Sequence, residues 1–99
     1  MRSCYIIAEM GSCHDGLLAR AVELVKLAHD AGANAVKAQY WSDSHALALA
    51  RHDESLMTFY ESYRMPRAWL DQLAGQANAC GLDFMCTVYL TQDIATVAP

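Results

Sequence analysis

The chain has 99 residues and a net charge of −4, with 55% hydrophobic and 18% charged side chains. That length allows one small domain, and the apolar share excludes a disordered tail. The acidic balance leaves no basic patch for a phosphodiester backbone, and no apolar stretch approaches the ~20 residues of a membrane span or the core of a signal peptide. The expectation is therefore a cytoplasmic protein with no nucleic-acid partner and no membrane partner.

Residues 4–8 are short, apolar and rich in Ile and Tyr, which predicts a buried strand running into Glu9. A loop with two glycines follows, Glu9 to Gly16, and Asp15 is positioned to cap the next helix. From Leu18, apolar residues recur at Ala21, Val22, Val25 and Ala28, the spacing of an amphipathic helix of about four turns. Gly32 is placed to end it in a left-handed conformation. Residues 34–39 read as a second strand.

The connection from Tyr40 to Met65 has partial helical periodicity and predicts a short helix within His45–Tyr63. Pro66 suits the first position of the next helix, whose apolar stripe is Trp69, Leu70, Leu73, Ala74 and Ala77. Gly81 ends it, residues 83–88 form a third strand, and Thr91 to Ala98 begin a third helix that stops at Pro99. The two helix-to-strand joints echo each other. Ala31-Gly32-Ala33-Asn34 and Cys80-Gly81-Leu82-Asp83 both put a polar residue two places after the glycine. Strand–helix alternation implies a parallel α/β sheet. The first strand–helix loop lacks G-x-G-x-x-G, which weakens a nucleotide-binding version. Four cysteines, none at C-x-x-C spacing, read as mostly buried thiols rather than a disulfide framework or zinc site.

All three strands close on polar residues, the layout of a (β/α) barrel rim. A mid-strand Lys37 is costly in a covered parallel sheet unless an anion meets it; it otherwise snorkels or pairs with Glu9. Lys37 and Gln39 share one strand face, and together they suit a small oxygen-rich anion. Glu9 is placed for a hydroxylated substrate or a catalytic proton, or for a plain ion pair with Lys37. Thr87 closes the third strand with a hydroxyl that can donate to an anion, or it is an ordinary strand residue. His14 lies in the first loop. His29 ends a helix, and His45 and His52 read as solvated. No His spacing suggests a metal site.

Read in order, these motifs resemble the N-terminal part of the sialic acid (N-acetylneuraminate) synthase family. Ile6-Ile7-Ala8-Glu9-Met10-Gly11 and His14-Asp15-Gly16 are similar to I-A-E-I-G-x-N-H-x-G. Ala31 to Gln39 is similar to A-G-A-D-A-V-K-F-Q, Tyr60-Glu61 to a Y-E pair, and Gly81 to Thr87 to G-I-x-F-x-S-T. The resemblance implies the first β/α units of an incomplete (β/α)8 TIM barrel, with residues 1–99 as one partial domain. The implied activity is that of a transferase condensing phosphoenolpyruvate with an N-acetylated amino sugar such as N-acetylmannosamine. The product would be a nine-carbon 2-keto sugar acid, as in sialic acid biosynthesis.

In that resemblance Glu9 and Lys37 are catalytic, and Lys37, Gln39, Thr87, Glu9 and His14 bind substrate. A divalent metal, Mn or Mg, belongs to the full-length enzyme, with its histidine ligands on later strands. Full-length family enzymes are expected as homo-oligomers. Cys13 stands in place of the family's Asn, Ala38 in place of an aromatic residue, and Val88 in place of Pro. A whole barrel needs ~250 residues, so the chain is expected to carry half a phosphoenolpyruvate site and no activity alone. Two alternatives remain: a Schiff-base aldolase-like barrel using Lys37, and a non-catalytic remnant or assembly partner that completes a barrel.

Overall fold

The computed structural model describes residues 3–98. Its three strands, β1 (Ile7–Gly11), β2 (Ala35–Tyr40) and β3 (Asp83–Val88), form one parallel sheet in the order β1-β2-β3. Between them lie α1 (Leu18–Asp30), then α2 (Ser44–Ala50), α3 (Met57–Tyr63) and α4 (Trp69–Ala79). A short α5 (Ile94–Val97) follows β3.

The two faces of the sheet differ sharply. Ala8 and Met10, Val36, Ala38 and Tyr40, and Phe84 and Cys86 point to the side that packs on helices. Ala21, Val25 and Ala28 of α1 and Leu73 and Ala77 of α4 supply the opposite half of this core. Their spacing of three to four residues makes the buried stripe that the sequence predicts. The alternate residues, Ile7 and Glu9, Lys37 and Gln39, Met85 and Thr87, occupy the other face and are exposed or half-buried.

Both helix-to-strand joints are Schellman motifs. Gly32 has φ +87° and Gly81 φ +76°. The Ala33 N–H reaches the Ala28 carbonyl at 3.1 Å, and the Leu82 N–H reaches the Ala77 carbonyl at 2.8 Å. The polar residues that follow lace the start of the sheet. Asn34 Oδ1 accepts from the Ile6 N–H at 2.7 Å, and the Asp83 N–H donates to the Asn34 carbonyl at 3.1 Å.

Several expectations are corrected. The first strand runs Ile7–Gly11 rather than 4–8, so Glu9 lies inside it. Tyr5 and Ile6 lie outside the strand, and each is 53% exposed. Asp15 does not cap α1: it has φ +53° and pairs with Arg20, while Leu17 takes the N-cap place without a side-chain bond. Pro66 precedes α4 by a turn in which its carbonyl accepts from the Trp69 N–H at 3.0 Å. The long connection holds α2 and α3 with a 3₁₀ turn between them, rather than one short helix. Asp43 caps α2 by accepting from the Ala46 N–H at 3.0 Å. The final helix is broken into a 3₁₀ turn, Thr91–Asp93, and α5; Pro99 lies outside the described residues. Cys4 and Cys13 are exposed, and Cys80 and Cys86 are half-buried, so the reading of four mostly buried thiols fails.

Candidate functional site

Strand pairing builds the site. Glu9 stands opposite Lys37 in the β1–β2 ladder, and Gln39 stands opposite Thr87 in the β2–β3 ladder. Adjacent strands lie about 4.8 Å apart, so all four side chains rise from one face near the carboxyl ends of the strands. Lys37 Nζ is 3.7 Å from Glu9 Oε1, with 38% and 47% of the two side chains exposed. The plain ion pair thus exists, and its solvent access leaves the ammonium open to a further anion.

The register slips between Glu9 and Gly11, so that Gly11 rather than Met10 faces Ala38. Met10 drops into the helix-side core at 4% exposure. Gly11 takes φ +48°, a conformation cheap for glycine alone, and its N–H donates to Glu9 Oε2 at 3.0 Å. The next residue, Ser12, donates its hydroxyl to Gln39 Oε1 at 3.1 Å. Among the described residues no hydrogen bond links Thr87's hydroxyl to its neighbours.

His14 does not sit on this face. It is fully buried, its Nδ1 accepts from the Gly16 N–H at 2.9 Å, and its Nε2 has no partner among the described residues. Its ring meets Trp69 edge to face at 5.2 Å. His14, expected to bind substrate, is instead placed inside the loop with its imidazole enclosed. Burial holds its pKa below the ordinary 6.5, against a smaller upward pull from Asp15.

A groove of about 600 Å³ opens beside the cluster and shares Gln39 with it. Ser12, Cys13 and Asp15 from the first loop form one wall, and Trp41, Phe59, Tyr60 and Tyr63 form the other. Trp41 meets Tyr60 and Tyr89 edge to face at 5.9 Å each. The buried Asp93 ties the segment after β2 to the turn after β3 by accepting from the Ser42 N–H at 2.9 Å. Of the Tyr60-Glu61 pair, the tyrosine reaches the groove, while Glu61 faces a separate polar hollow and binds Arg64 at 2.8 Å.

Sequence reasoning missed Ser12 and, apart from Tyr60, the aromatic wall. Trp41 was detectable as the bulky residue just past a strand end, whereas a loop serine carries no such signal. Among the described residues no three His, Cys, Asp or Glu side chains come together to hold a metal ion. Glu9 is already engaged by Lys37 and Gly11. The residues present therefore do not make a metal site. No helix among the described residues is long and apolar enough to cross a membrane.

The model of the NeuB family matches residues 24–98. Pseudaminic acid synthase of Campylobacter jejuni subsp. jejuni serotype O:23/36 is 31% identical over 94% of this chain and 30% of its own length. The spore coat polysaccharide biosynthesis protein SpsE of Bacillus subtilis is 33% identical over 85% of this chain and 25% of its own. The SpsE crystal structure superposes with a TM-score of 0.71 at 30% identity, covering 96% of this chain and 27% of that one. The N-acetylneuraminic acid synthetase of Leptospira borgpetersenii serovar Hardjo-bovis superposes at 0.85 with 22% identity, covering 97% and 33%. That likeness fixes the fold: these strands and helices match the N-terminal part of that synthetase's barrel. The chain spans 30% or less of the curated relatives it matches.

Proposed function

The chain belongs to the NeuB family, and from that premise we propose that it is the anion-holding part of a sugar-acid synthase. The reaction joins phosphoenolpyruvate to an N-acetylated amino sugar and yields a nine-carbon 2-keto acid. The carrying observation is the single-face array of Lys37, Gln39 and Thr87 at neighbouring strand ends, with Glu9 beside them.

Lys37 meets the phosphate or carboxylate of phosphoenolpyruvate as a charge-assisted donor, worth about 1.5–3 kcal/mol. The Gln39 amide and the Thr87 hydroxyl donate alongside it. These fixed donors hold the enol in place and stabilise charge as it develops. The enol carbon attacks the sugar aldehyde, forming the C–C bond, and the aldehyde oxygen gains a proton. Water then adds, giving up a proton, to the neighbouring carbon that bears the phosphate oxygen, and cleavage of that C–O bond releases phosphate and leaves the 2-keto group. Glu9, on the sugar side, accepts a sugar hydroxyl or moves that proton. The aromatic groove beside Gln39 suits the apolar face of the sugar. A divalent metal, Mn or Mg, is part of this reading, and the described residues do not hold it. The full-length enzyme is a homo-oligomer in this reading.

The test has two readings. The purified chain, titrated with phosphoenolpyruvate, is expected to bind it weakly and to lose binding in Lys37→Met. Mixed with phosphoenolpyruvate, N-acetylmannosamine and manganese, it is expected to release no phosphate. Absent binding overturns the half-site, and turnover well above background overturns the claim that the chain alone is inactive. A Schiff-base role for Lys37 is disfavoured by its solvent access, since no apolar pocket desolvates its amine. Borohydride trapping of a pyruvate adduct at Lys37 would restore that role. The barrel-completing reading draws on the outer edges of β1 and β3, which have no partner strand among the described residues. A soluble monomer in size-exclusion chromatography counts against it.

A further inference from the structure

We propose that the β1–α1 loop is a positioning clamp: Ser12 fixes which end of the Gln39 amide faces the open sheet, and the buried His14 anchors the loop that carries Ser12. This rests on the anion-binding reading of Gln39 for its purpose, but not for its geometry.

A glutamine amide has a donor end and an acceptor end, and an anion is served by the donor end alone. The Ser12 hydroxyl engages Gln39 Oε1 at 3.1 Å, which leaves the Nε2 hydrogens free to donate. Gly11 packs flat against the same amide. A Cβ there would lie 3.9 Å from Cδ, Nε2 and Oε1 alike, ordinary contact distance, so residue 11 sits alongside the amide. The loop is closed on itself by the Cys13 N–H to the Met10 carbonyl at 2.9 Å and the Leu17 N–H to the His14 carbonyl at 3.0 Å. At its centre the His14 Nδ1 accepts from the Gly16 N–H at 2.9 Å. Nδ1 must be unprotonated to accept, so the proton sits on Nε2. Asp15 and Gly16 both hold positive φ in this turn, +53° and +75°. An acceptor two residues back keeps such a turn shut. Asparagine can make the same i to i+2 bond, whereas phenylalanine keeps the buried ring and loses the acceptor.

The experiment uses the 99-residue chain, ¹⁵N-labelled, with phosphoenolpyruvate as the probe. In the parent, the Gln39 side-chain NH₂ gives a dispersed pair of signals. Ser12→Ala moves the pair toward free-amide positions, and Ser12→Thr retains it. His14→Asn retains both the Gln39 pair and the Gly16 amide position, and His14→Phe loses both. Phosphoenolpyruvate binds Ser12→Ala roughly five- to tenfold more weakly than the parent. Unchanged Gln39 signals in Ser12→Ala overturn the clamp, as does His14→Asn behaving like His14→Phe. If the signals shift as stated while no variant and no parent binds the probe, the clamp stands and the anion reading fails. Ser12 is a half-buried loop residue, so its variants test the proposal even if a His14 variant unfolds.

Discussion

Replacing Lys37 by Met separates binding from folding. The Nζ–Oε1 separation of 3.7 Å sets the ion pair's worth. In water's dielectric it is about 1.1 kcal/mol, and screening at physiological salt reduces it to about 0.7. Exposures of 38% and 47% justify the aqueous limit, and half-exposed pairs rarely exceed it. Lys37→Met is therefore expected to change unfolding stability by less than about 1 kcal/mol. A double-mutant cycle with Glu9→Gln should return a coupling of the same size. Loss of one charge-assisted bond to phosphoenolpyruvate should weaken binding roughly ten- to a hundredfold. Urea unfolding monitored by Trp fluorescence measures the first quantity, and calorimetric titration the second. A stability loss above about 2 kcal/mol would make Lys37 structural. Affinity within about twofold of the parent would remove it from the anion site. Either outcome refutes the reasoning.

Three further outcomes follow from burial. The unfolded His14 takes up a proton near its ordinary 6.5, while the buried imidazole resists it, so below that pH the unfolded state binds more protons. Stability from this residue is complete above about pH 6.5 and declines as pH falls toward the folded value; urea midpoints across that range check it, and a flat profile contradicts it. Burial pushes the Cys86 thiol up to about 11, so the exposed Cys4 and Cys13 should react with iodoacetamide at about pH 8 more than tenfold faster than Cys86. Peptide mapping of timed samples measures this, and equal rates contradict it. Leu73 is fully buried between α4 and the sheet, so Leu73→Ala should cost about 2–5 kcal/mol in urea unfolding; a loss under about 1 kcal/mol would contradict the packing described.

The third strand and the two glycine joints were legible because their signals are local. Asp83–Val88 begins two residues after a helix-ending glycine, and the Schellman bonds need only that glycine and its neighbours. The first strand was misplaced because apolarity was taken for pairing. Tyr5 and Ile6 are apolar, yet the ladder starts at Ile7, opposite Ala35, where β2 begins. Nothing local to residues 4–8 records that partner. Lys37 and Gln39 were found by strand alternation, and Glu9 and Thr87 by position at strand ends; each lies on the expected face. His14 escaped the same logic because a loop has no periodicity to reveal which side its side chain takes. Ser12 became visible only once residues 12 and 39 were brought together by the fold.

The slip between Glu9 and Gly11 makes the site sensitive to chain length in a way that side-chain chemistry does not show. It acts as a phase shift: β1 spends one residue more than β2 in reaching the rim, and leaves the ladder just where Gln39 begins to need a cover. Deleting Met10 would restore a regular count and place a ladder residue beside Gln39 instead of a free loop hydroxyl. Most single substitutions at the rim preserve that phase, whereas a one-residue deletion or insertion between positions 9 and 11 cancels it. A scan of single-residue indels along β1 should therefore show its sharpest loss of the Gln39 side-chain signals at this step, with much milder effects before Ile7.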